Sequence, residues 1–281
     1  AASGKDITVD YATSNGTATA GADYTATSGT LTISAGATSG TFNVPVLADV
    51  LDENNETATI TLSNASNASI SDSTATLTIT DDDASPSLSI ADVTTANENA
   101  ANATFTVSLS AVSGRDVTVN YAASSGTALL SSDFTPTSGT LTIAAGATSG
   151  TFNVPVLHDT LDEANETATI TLSNATNATI SDSTATLTIT DDDATPSFTI
   201  ADVTTGNENA ANQAFTVSLS AVSGRDVTVD YATSNGTATA GADYTATSGT
   251  LTISAGATTG TFNVPVLADT LDENNETATI T

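Results

Sequence analysis

Carboxylates are the side chains of this sequence whose type and spacing could do chemistry. Three consecutive aspartates stand at 81–83 and again at 191–193, and a second acidic group lies between Asp159 and Glu166. Other acids, such as Asp133, fall in short polar segments rather than evenly along the chain. Carboxylate oxygens are the ligands that hard cations prefer, and calcium accepts about six to eight oxygens in a permissive geometry. The acids therefore indicate cation binding, provided that the fold brings them together.

The charge balance excludes several classes of partner. Thirty-two Asp and Glu residues face only three Lys and Arg residues, which gives a formal net charge of −29. Nucleic acids and anionic lipids attract Lys and Arg, so we expect no nucleic acid partner. No apolar run approaches the roughly 18 residues of a membrane span, so no direct membrane insertion is expected in this segment. The acids therefore either keep the surface soluble or bind cations.

The sequence gives little support for catalysis. Cysteine is absent, which excludes disulfides and thiol chemistry. The single histidine, His158, is matched by Ala48 and Ala268 in the other repeats, which indicates a loop substitution. The serines and threonines have no general base at a catalytic spacing. Paired carboxylates could serve glycoside hydrolysis, but these acids recur in every repeat and no aromatic sugar platform accompanies them. We therefore expect a protein that is not an enzyme.

The acids recur because the whole chain repeats with a spacing of 110 residues. Residues 3–5 read Ser-Gly-Lys, and the same place reads Ser-Gly-Arg at 113–115 and at 223–225. A unit of this length is a domain with its own core rather than one hairpin of a solenoid. We predict one complete copy and two partial copies, the first without its initial strands and the third without its last strands. The predicted copies are 1–83, 86–193 and 196–281.

Each copy has the pattern of a β-sandwich. Apolar residues alternate with Thr, Ser or Asn, which is the period of half-buried strands. Seven such runs occupy the complete copy, near residues 88–90, 105–109, 117–121, 141–143, 152–156, 168–172 and 185–189. We predict an all-β fold of tandem seven-stranded antiparallel, immunoglobulin-like β-sandwiches. Pro155 has no N–H to donate, so it predicts an edge strand or a bulge.

The direction of the strands decides where the acids meet. In an antiparallel sandwich the successive connections alternate between the two ends, and two strands separate the 159–166 segment from the 191–193 run. Both segments should therefore lie at the same end, where carboxylates without counterions would repel one another. Calcium fits such a cluster best, and magnesium, which demands a stricter octahedron, is second. A solvated acidic end without bound metal is the alternative.

The unit resembles a Calx-beta domain, the calcium-binding sandwich of sodium/calcium exchangers, integrin β4 and many bacterial surface proteins. The resemblance covers the whole chain, as one complete and two partial copies. The residues that carry it are Val117-Thr118-Val119-Asn120-Tyr121, Gly126-Thr127-Ala128, Asp133-Phe134, Ser138-Gly139-Thr140-Leu141-Thr142-Ile143, Asp159, Glu163, Glu166 and Ile189-Thr190-Asp191-Asp192-Asp193.

The resemblance implies a Ca²⁺ cluster at the end of each sandwich where the next copy begins. In the complete copy the implied ligands are Glu98, Asp133, Asp159, Glu163, Glu166, Asp191, Asp192 and Asp193. In the first copy they are Asp23, Asp49, Glu53, Glu56, Asp81, Asp82 and Asp83. In the third copy they are Glu208, Asp243, Asp269, Glu273 and Glu276. The first copy has no counterpart of Glu98 and the third has no aspartate run, so these two sites are incomplete within this chain.

Near-identical copies joined by three-residue linkers, 84–86 and 194–196, indicate selection for length. We expect a calcium-rigidified stalk or extender of a large extracellular, cell-surface protein, flexible without calcium and stiff with it. The expected partners are neighbouring copies of the same repeat and other cell-surface or matrix components. A subunit of a self-assembling extracellular filament and a ligand-binding adhesion module are the alternatives.

Overall fold

The structure is a computed structural model that describes residues 2–95, 97–205, 207, 212–270 and 272–281. The regular elements of the described residues are all β-strands, which follow from the alternating pattern of β-branched and apolar residues. The strands are β1 (Ile7–Asn15), β2 (Ser28–Ile33), β3 (Glu56–Ser66), β4 (Thr74–Ile79), β5 (Ser87–Ile90), β6 (Val93–Thr94), β7 (Ala103–Leu109), β8 (Val117–Ser125), β9 (Ser138–Ile143), β10 (Ser149–Val154), β11 (Glu166–Thr176), β12 (Thr179–Ile180), β13 (Thr184–Ile189), β14 (Phe198–Ile200), β15 (Gln213–Leu219), β16 (Val227–Asn235), β17 (Ser248–Ile253), β18 (Thr259–Val264) and β19 (Ala278–Ile280).

The complete copy folds into two sheets that enclose one core. One sheet has the order β10-β7-β5-β12, and the other has the order β6-β13-β11-β8-β9. Along β7 buried and exposed residues alternate strictly, so one face of the strand points into the core. Phe105 from the first sheet and Ile170 from the second belong to the same fully buried cluster. Tyr121 of β8 stacks on Phe152 of β10 with ring centroids 3.9 Å apart, which ties the two sheets together.

The prediction of tandem all-β sandwiches is confirmed. All seven alternating runs form strands, namely β5, β7, β8, β9, β10, β11 and β13. β10 lies at the edge of its sheet and ends immediately before Pro155, as the missing N–H of the proline predicts. The structure adds the two-residue strands β6 and β12, which form short parallel pairs with β13 and β5. Pairs this short leave no alternation in the sequence by which they could be recognised.

The two ends of the sandwich carry different connections. The β8–β9 and β10–β11 connections lie at one end, together with the approach to β7 and the chain after β13. The β7–β8 connection lies at the opposite end, because antiparallel strands alternate in direction. The predicted acidic segments therefore share one end of each copy, and the Ser-Gly-Arg segment occupies the other.

The partial copies retain part of this architecture. The first copy contains the four-stranded sheet β2-β1-β3-β4. Residues 39–44 correspond to β10 but form no strand. The third copy contains the sheets β14-β15-β18 and β17-β16-β19 within the described residues.

Candidate metal centre

Four segments of the complete copy meet at the acidic end of the sandwich. Glu98 lies between β6 and β7, and Asp133 lies in the β8–β9 connection. Asp159 and Glu163 belong to the β10–β11 connection, and Asp193 follows the end of β13. Their carboxylates form two groups, each with one oxygen per residue within 4.8 Å of the others. The strand directions thus produce the expected convergence of the acidic segments.

The first group, called the inner triad, consists of Asp133, Glu163 and Glu166. Glu166 is the first residue of β11 and pairs with Ile189, so the sheet fixes its backbone. A tight turn holds Asp133, whose Oδ2 accepts a hydrogen bond from the Leu129 N–H at 2.5 Å. The inner triad is therefore built on one strand end and two ordered loops.

The turn before Asp133 needs a left-handed residue. Ser131 adopts a φ of 70°, while Gly21 and Gly241 at the equivalent positions have φ values of 94° and 92°. A non-glycine residue in this region carries a steric cost, which glycine avoids. All three copies nevertheless keep the same turn, so the aspartate that follows is presented in the same way each time.

The second group, called the outer triad, consists of Glu98, Asp159 and Asp193. The Glu98 side chain is largely buried, with 9% of the residue exposed. Its Oε1 and the Oδ2 of Asp193 are buried without a hydrogen-bond partner among the described residues. Buried oxygens without a donor cost free energy, so these two atoms are suited to a ligand that supplies positive charge.

The electrostatics of both triads disfavour the fully charged state. Burial raises the pKa of Glu98 to about 8, and its contact with Asp193 adds to the shift. Burial raises the pKa of Glu166 to about 7, with a further contribution from Asp133. Burial likewise raises the pKa of Glu163, and the negative charge of Asp159 raises it further. Each shift reflects first the cost of burying a charged carboxylate and then repulsion from its neighbours, and a bound cation would offset both.

The three terminal aspartates differ in their surroundings. Asp193 belongs to the outer triad, and Asp191 Oδ1 accepts a hydrogen bond from the Glu163 N–H at 3.1 Å. Asp192 Oδ2 instead accepts a hydrogen bond from the Asn99 side chain at 2.8 Å. The structure thus brings Asp191 and Asp193 to the triads, while Asp192 faces an amide donor. Sequence reasoning missed Asn99, although its place directly after Glu98 was a signal.

The first copy keeps a related cluster. Asp23, Asp49 and Glu53 form a triad by the same distance criterion. Its remaining predicted residues are Glu56, which interacts with Asp23, and Asp81, Asp82 and Asp83, which line the same cavity of about 120 Å³. Burial raises the pKa of Glu56, and the interaction with Asp23 raises it further. The carboxylates therefore cluster here without a counterpart of Glu98 in this sequence.

The third copy shows the same nucleus. Asp243, Asp269 and Glu273 form a triad, and Glu276 interacts with Asp243. Glu208, the predicted counterpart of Glu98, lies outside the described residues.

Comparison with known proteins agrees with the repeat and the fold. The sequence profile of the Calx-beta domain matches three times, over residues 1–83, 81–193 and 191–281. The chain belongs to the Calx-beta domain family. A search of curated proteins gave no match.

Solved Calx structures are similar to this Calx-beta chain at low identity. The crystal structure of CBD12 from CALX1.2 is 23% identical, with a TM-score of 0.37, and the match covers 69% of this chain and 79% of that one. The calcium binding domain CBD12 of CALX1.1 is 23% identical with a TM-score of 0.37, covering 63% and 74%. The apo-form Calx CBD1 domain is 24% identical with a TM-score of 0.36, covering 38% and 98%. In the described part of this chain, no helix has the length and apolar character needed to cross a bilayer.

The donor set of the Calx-beta copies fits a hard cation. Every group in the triads is a carboxylate oxygen, and two of these oxygens are buried with no donor in the part of the chain that the structure describes. Calcium binds such oxygen sets in irregular loops, whereas magnesium requires a stricter octahedron and keeps several waters. The residues present therefore fit calcium better than any cation that prefers nitrogen or sulfur ligands.

Sequence reasoning also missed an ion pair at each of the two joints between copies. Arg115 forms an ion pair with Asp52, and Arg225 forms one with Asp162. The signal was present, since all three basic residues of the chain occupy one place in the repeat.

Proposed function

We propose that this Calx-beta array binds calcium at the acidic end of its copies and acts as a calcium-rigidified extracellular extender. The observation that carries the proposal is the pair of triads in the complete copy. Six carboxylates converge there, and two buried oxygens have no donor among the described residues. Such an arrangement is costly without a counterion and favourable with one.

Bound calcium would supply the positive charge that offsets the repulsion among these carboxylates. Asp133, Glu163 and Glu166 would hold an ion at the inner triad, and Glu98, Asp159 and Asp193 would hold one at the outer triad. Glu98 and Glu166 have pKa values raised to about 8 and about 7, so both carry protons for part of the time at neutral pH. These protons would leave when the metal binds, which makes affinity depend on pH.

The position of the site supports a mechanical role. Asp193 of the outer triad is followed at once by the linker 194–196 and then by the next copy. A ligand that fixes Asp193 to Glu98 and Asp159 therefore also restrains the start of that linker. Near-identical copies without tryptophan and with 4% aromatic residues favour a spacer over a ligand-recognition module.

The proposed location follows from the expected affinity. Calcium modules that work outside cells bind with dissociation constants of about 10⁻⁴–10⁻³ M, and calcium at that level is available there. We propose neighbouring repeats as the main partners, with other cell-surface or matrix components at the ends of the array.

Calorimetric titration of the full chain with calcium tests the proposal. We expect saturable binding, with an enthalpy at pH 7 that depends on the ionisation heat of the buffer because protons are released. The double variant Asp133→Asn/Glu166→Gln removes the inner triad, and Asp202→Asn at an exposed position is the matched control. Fewer sites in the double variant and unchanged binding in the control are expected. Absence of saturable heat up to about 10 mM calcium, well above the range of extracellular modules, would contradict calcium binding.

Small-angle scattering in calcium tests the extender role. An extended particle with the mass of one chain is expected, since the copies follow one another end to end. Particles of much larger mass would instead favour the filament.

A further inference from the structure

A cluster of contacts forms where one copy meets the next. The ion pairs in this cluster do not involve the carboxylates of the triads. Each joint brings the acidic end of one copy against the β7–β8 connection, or its equivalent, in the next. At the first joint the contacts link Asp52 to Ser113, Gly114 and Arg115. At the second they link Asp162 to Ser223, Gly224 and Arg225. These two sets of residues are called the inter-copy latch.

At the first joint the latch satisfies both oxygens of a buried aspartate. Asp52 is 2% exposed, and its Oδ2 accepts hydrogen bonds from Ser113 Oγ at 3.0 Å and Arg115 Nε at 3.1 Å. Its Oδ1 accepts from Arg115 Nη2 and from Ser85 Oγ, the latter at 3.1 Å. The Asp52 carbonyl accepts from the Gly114 N–H at 2.9 Å. The bidentate guanidinium contact fixes orientation as well as distance.

The second joint repeats the arrangement with different neighbours. Asp162 is 3% exposed and accepts hydrogen bonds from Ser223 Oγ at 2.9 Å and from Arg225 Nη2. The Gly224 N–H donates to the Asp162 carbonyl at 2.9 Å. Thr195 takes the place of Ser85, so the same latch forms with a different linker. Two occurrences of one geometry in one chain argue that the contacts are built into the repeat.

The glycine of the latch is required for space. A Cβ on Gly114 would lie 2.6 Å from the Glu53 Cγ, and a Cβ on Gly224 would lie 2.6 Å from the Glu163 Oε1. The turn of the following copy therefore presses against the glutamate of the preceding copy. Any larger residue at this place would separate the two copies or displace the glutamate.

We propose that the Ser-Gly-Arg face of the complete copy and of the third copy is a docking surface for the Asp-Glu turn of the preceding copy, and that it holds the two end to end without bound metal. The positive charge at this surface comes from arginine, which is always protonated in proteins. The partner is the preceding copy of the same repeat. The surface recognises the buried aspartate of that copy, and the glycine of the surface, which has no side chain, leaves room for its glutamate. An array held by calcium alone would become a string of beads in a chelator, whereas the latch keeps neighbouring copies docked there, and calcium at the triads then stiffens a joint that is already formed.

Spin-label distance measurements on the full chain in EGTA test the latch. The chain has no cysteine, so Thr169→Cys and Thr252→Cys place one label on the complete copy and one on the third. We expect a narrow distance distribution without calcium. Arg225→Ala should broaden it about twofold or more, since weakly joined domains move relative to one another by default. Lys5→Ala removes the same charge at the equivalent place of the first copy and should leave the distribution unchanged.

Arg225→Lys provides a second variant that keeps the charge but loses the guanidinium hydrogen bond to Asp162, and it should give an intermediate width. A broad distribution in EGTA for the chain with Arg225 intact, narrowing only on addition of calcium, would overturn the latch. An unchanged width in Arg225→Ala would overturn it as well. Because the measurement is made in a chelator, its outcome does not depend on whether the triads bind calcium.

Discussion

Asp52 and Glu53 are neighbours in the chain, yet their carboxyl groups have opposite electrostatic surroundings. Burial by itself would raise the pKa of Asp52, but hydrogen bonds from Arg115, Ser113 and Ser85 lower it below its ordinary value. Burial raises the pKa of Glu53, and the negative charges of Asp49 and Asp23 raise it further. One carboxylate is stabilised by the following copy, and the other is destabilised by its own.

This difference indicates which acidic residues of the chain need a bound cation to offset their negative charge. Asp52 receives its positive charge from Arg115, so its cost of burial is offset within the protein. Glu53 belongs to a triad of carboxylates, so its counterion has to come from solution. The same contrast separates Asp162 from Glu163 in the complete copy. Under the two proposals, a joint combines an ion pair that forms without metal with a site for an exchangeable ion.

The largest expected effect comes from removing the ion pair between Arg115 and Asp52. Arg115→Ala leaves the buried carboxylate of Asp52 without its charged partner and should lower the free energy of unfolding by about 2 kcal/mol. Urea denaturation measures this loss, which should be equal in calcium and in EGTA. Lys5→Ala should change the same quantity by less than about 0.5 kcal/mol, as expected for a surface substitution. A loss seen only in calcium would make the ion pair part of the metal site.

The pH dependence of stability in the metal-free chain tests the electrostatic cost of the carboxylates in the triads. The pKa of Glu98 rises from its ordinary value of 4.5 to about 8 in the folded chain. Between these values the folded state retains a proton that the unfolded state has lost, so stability falls as the pH rises. We therefore expect the melting temperature in EGTA to fall between pH 5 and pH 8.

Glu98→Gln should flatten this profile, because the glutamine does not ionise. Calcium should reverse the trend in the unsubstituted chain, since the metal binds the ionised carboxylates. A metal-free melting temperature that rises over the same interval would mean that the outer triad is not under strain.

The smallest expected effect is a difference in calcium affinity between variants of two neighbouring aspartates. Asp193 belongs to the outer triad, whereas Asp192 accepts a hydrogen bond from Asn99. Asp193→Asn should weaken calcium binding about tenfold, and Asp192→Asn by less than about threefold, which is under 0.7 kcal/mol. Calorimetric titration compares the two. Equal losses would mean that both aspartates bind the metal in the loaded state.

Most of the fold could be predicted because it depends on local patterns. The alternation at Phe105, Val107 and Leu109 reports a strand with one buried face, and the structure shows that face inside the core. Strand parity then places Asp159 and the terminal aspartates at one end, without any knowledge of side-chain contacts, whereas Asp133 was predicted only through the resemblance to the Calx-beta domain. The sequence did not predict strands β6 and β12, because two residues are too few to show an alternating pattern.

The sequence could not predict which acidic residues join the triads and which form ion pairs or hydrogen bonds with other segments. Asp162 and Glu163 are adjacent in one acidic run, and only the fold shows that Arg225 reaches the first and the triad contains the second. The partner of Asp162 lies 63 residues further along the chain, in the next copy. Hydrogen bonding of Asp192 by Asn99 is equally non-local, at a separation of 93 residues. Such contacts depend on how the copies and loops pack.

Anomalous diffraction from crystals grown in about 10 mM calcium tests whether the triads bind calcium while the latch remains closed. We expect calcium peaks at the inner and outer triads of the complete copy, about 2.3–2.6 Å from their carboxylate oxygens. We also expect Asp162 to remain bonded to Arg225, with no calcium beside it. Empty triads at that concentration would rule out calcium binding there, and calcium bound to Asp162 in place of Arg225 would rule out the latch.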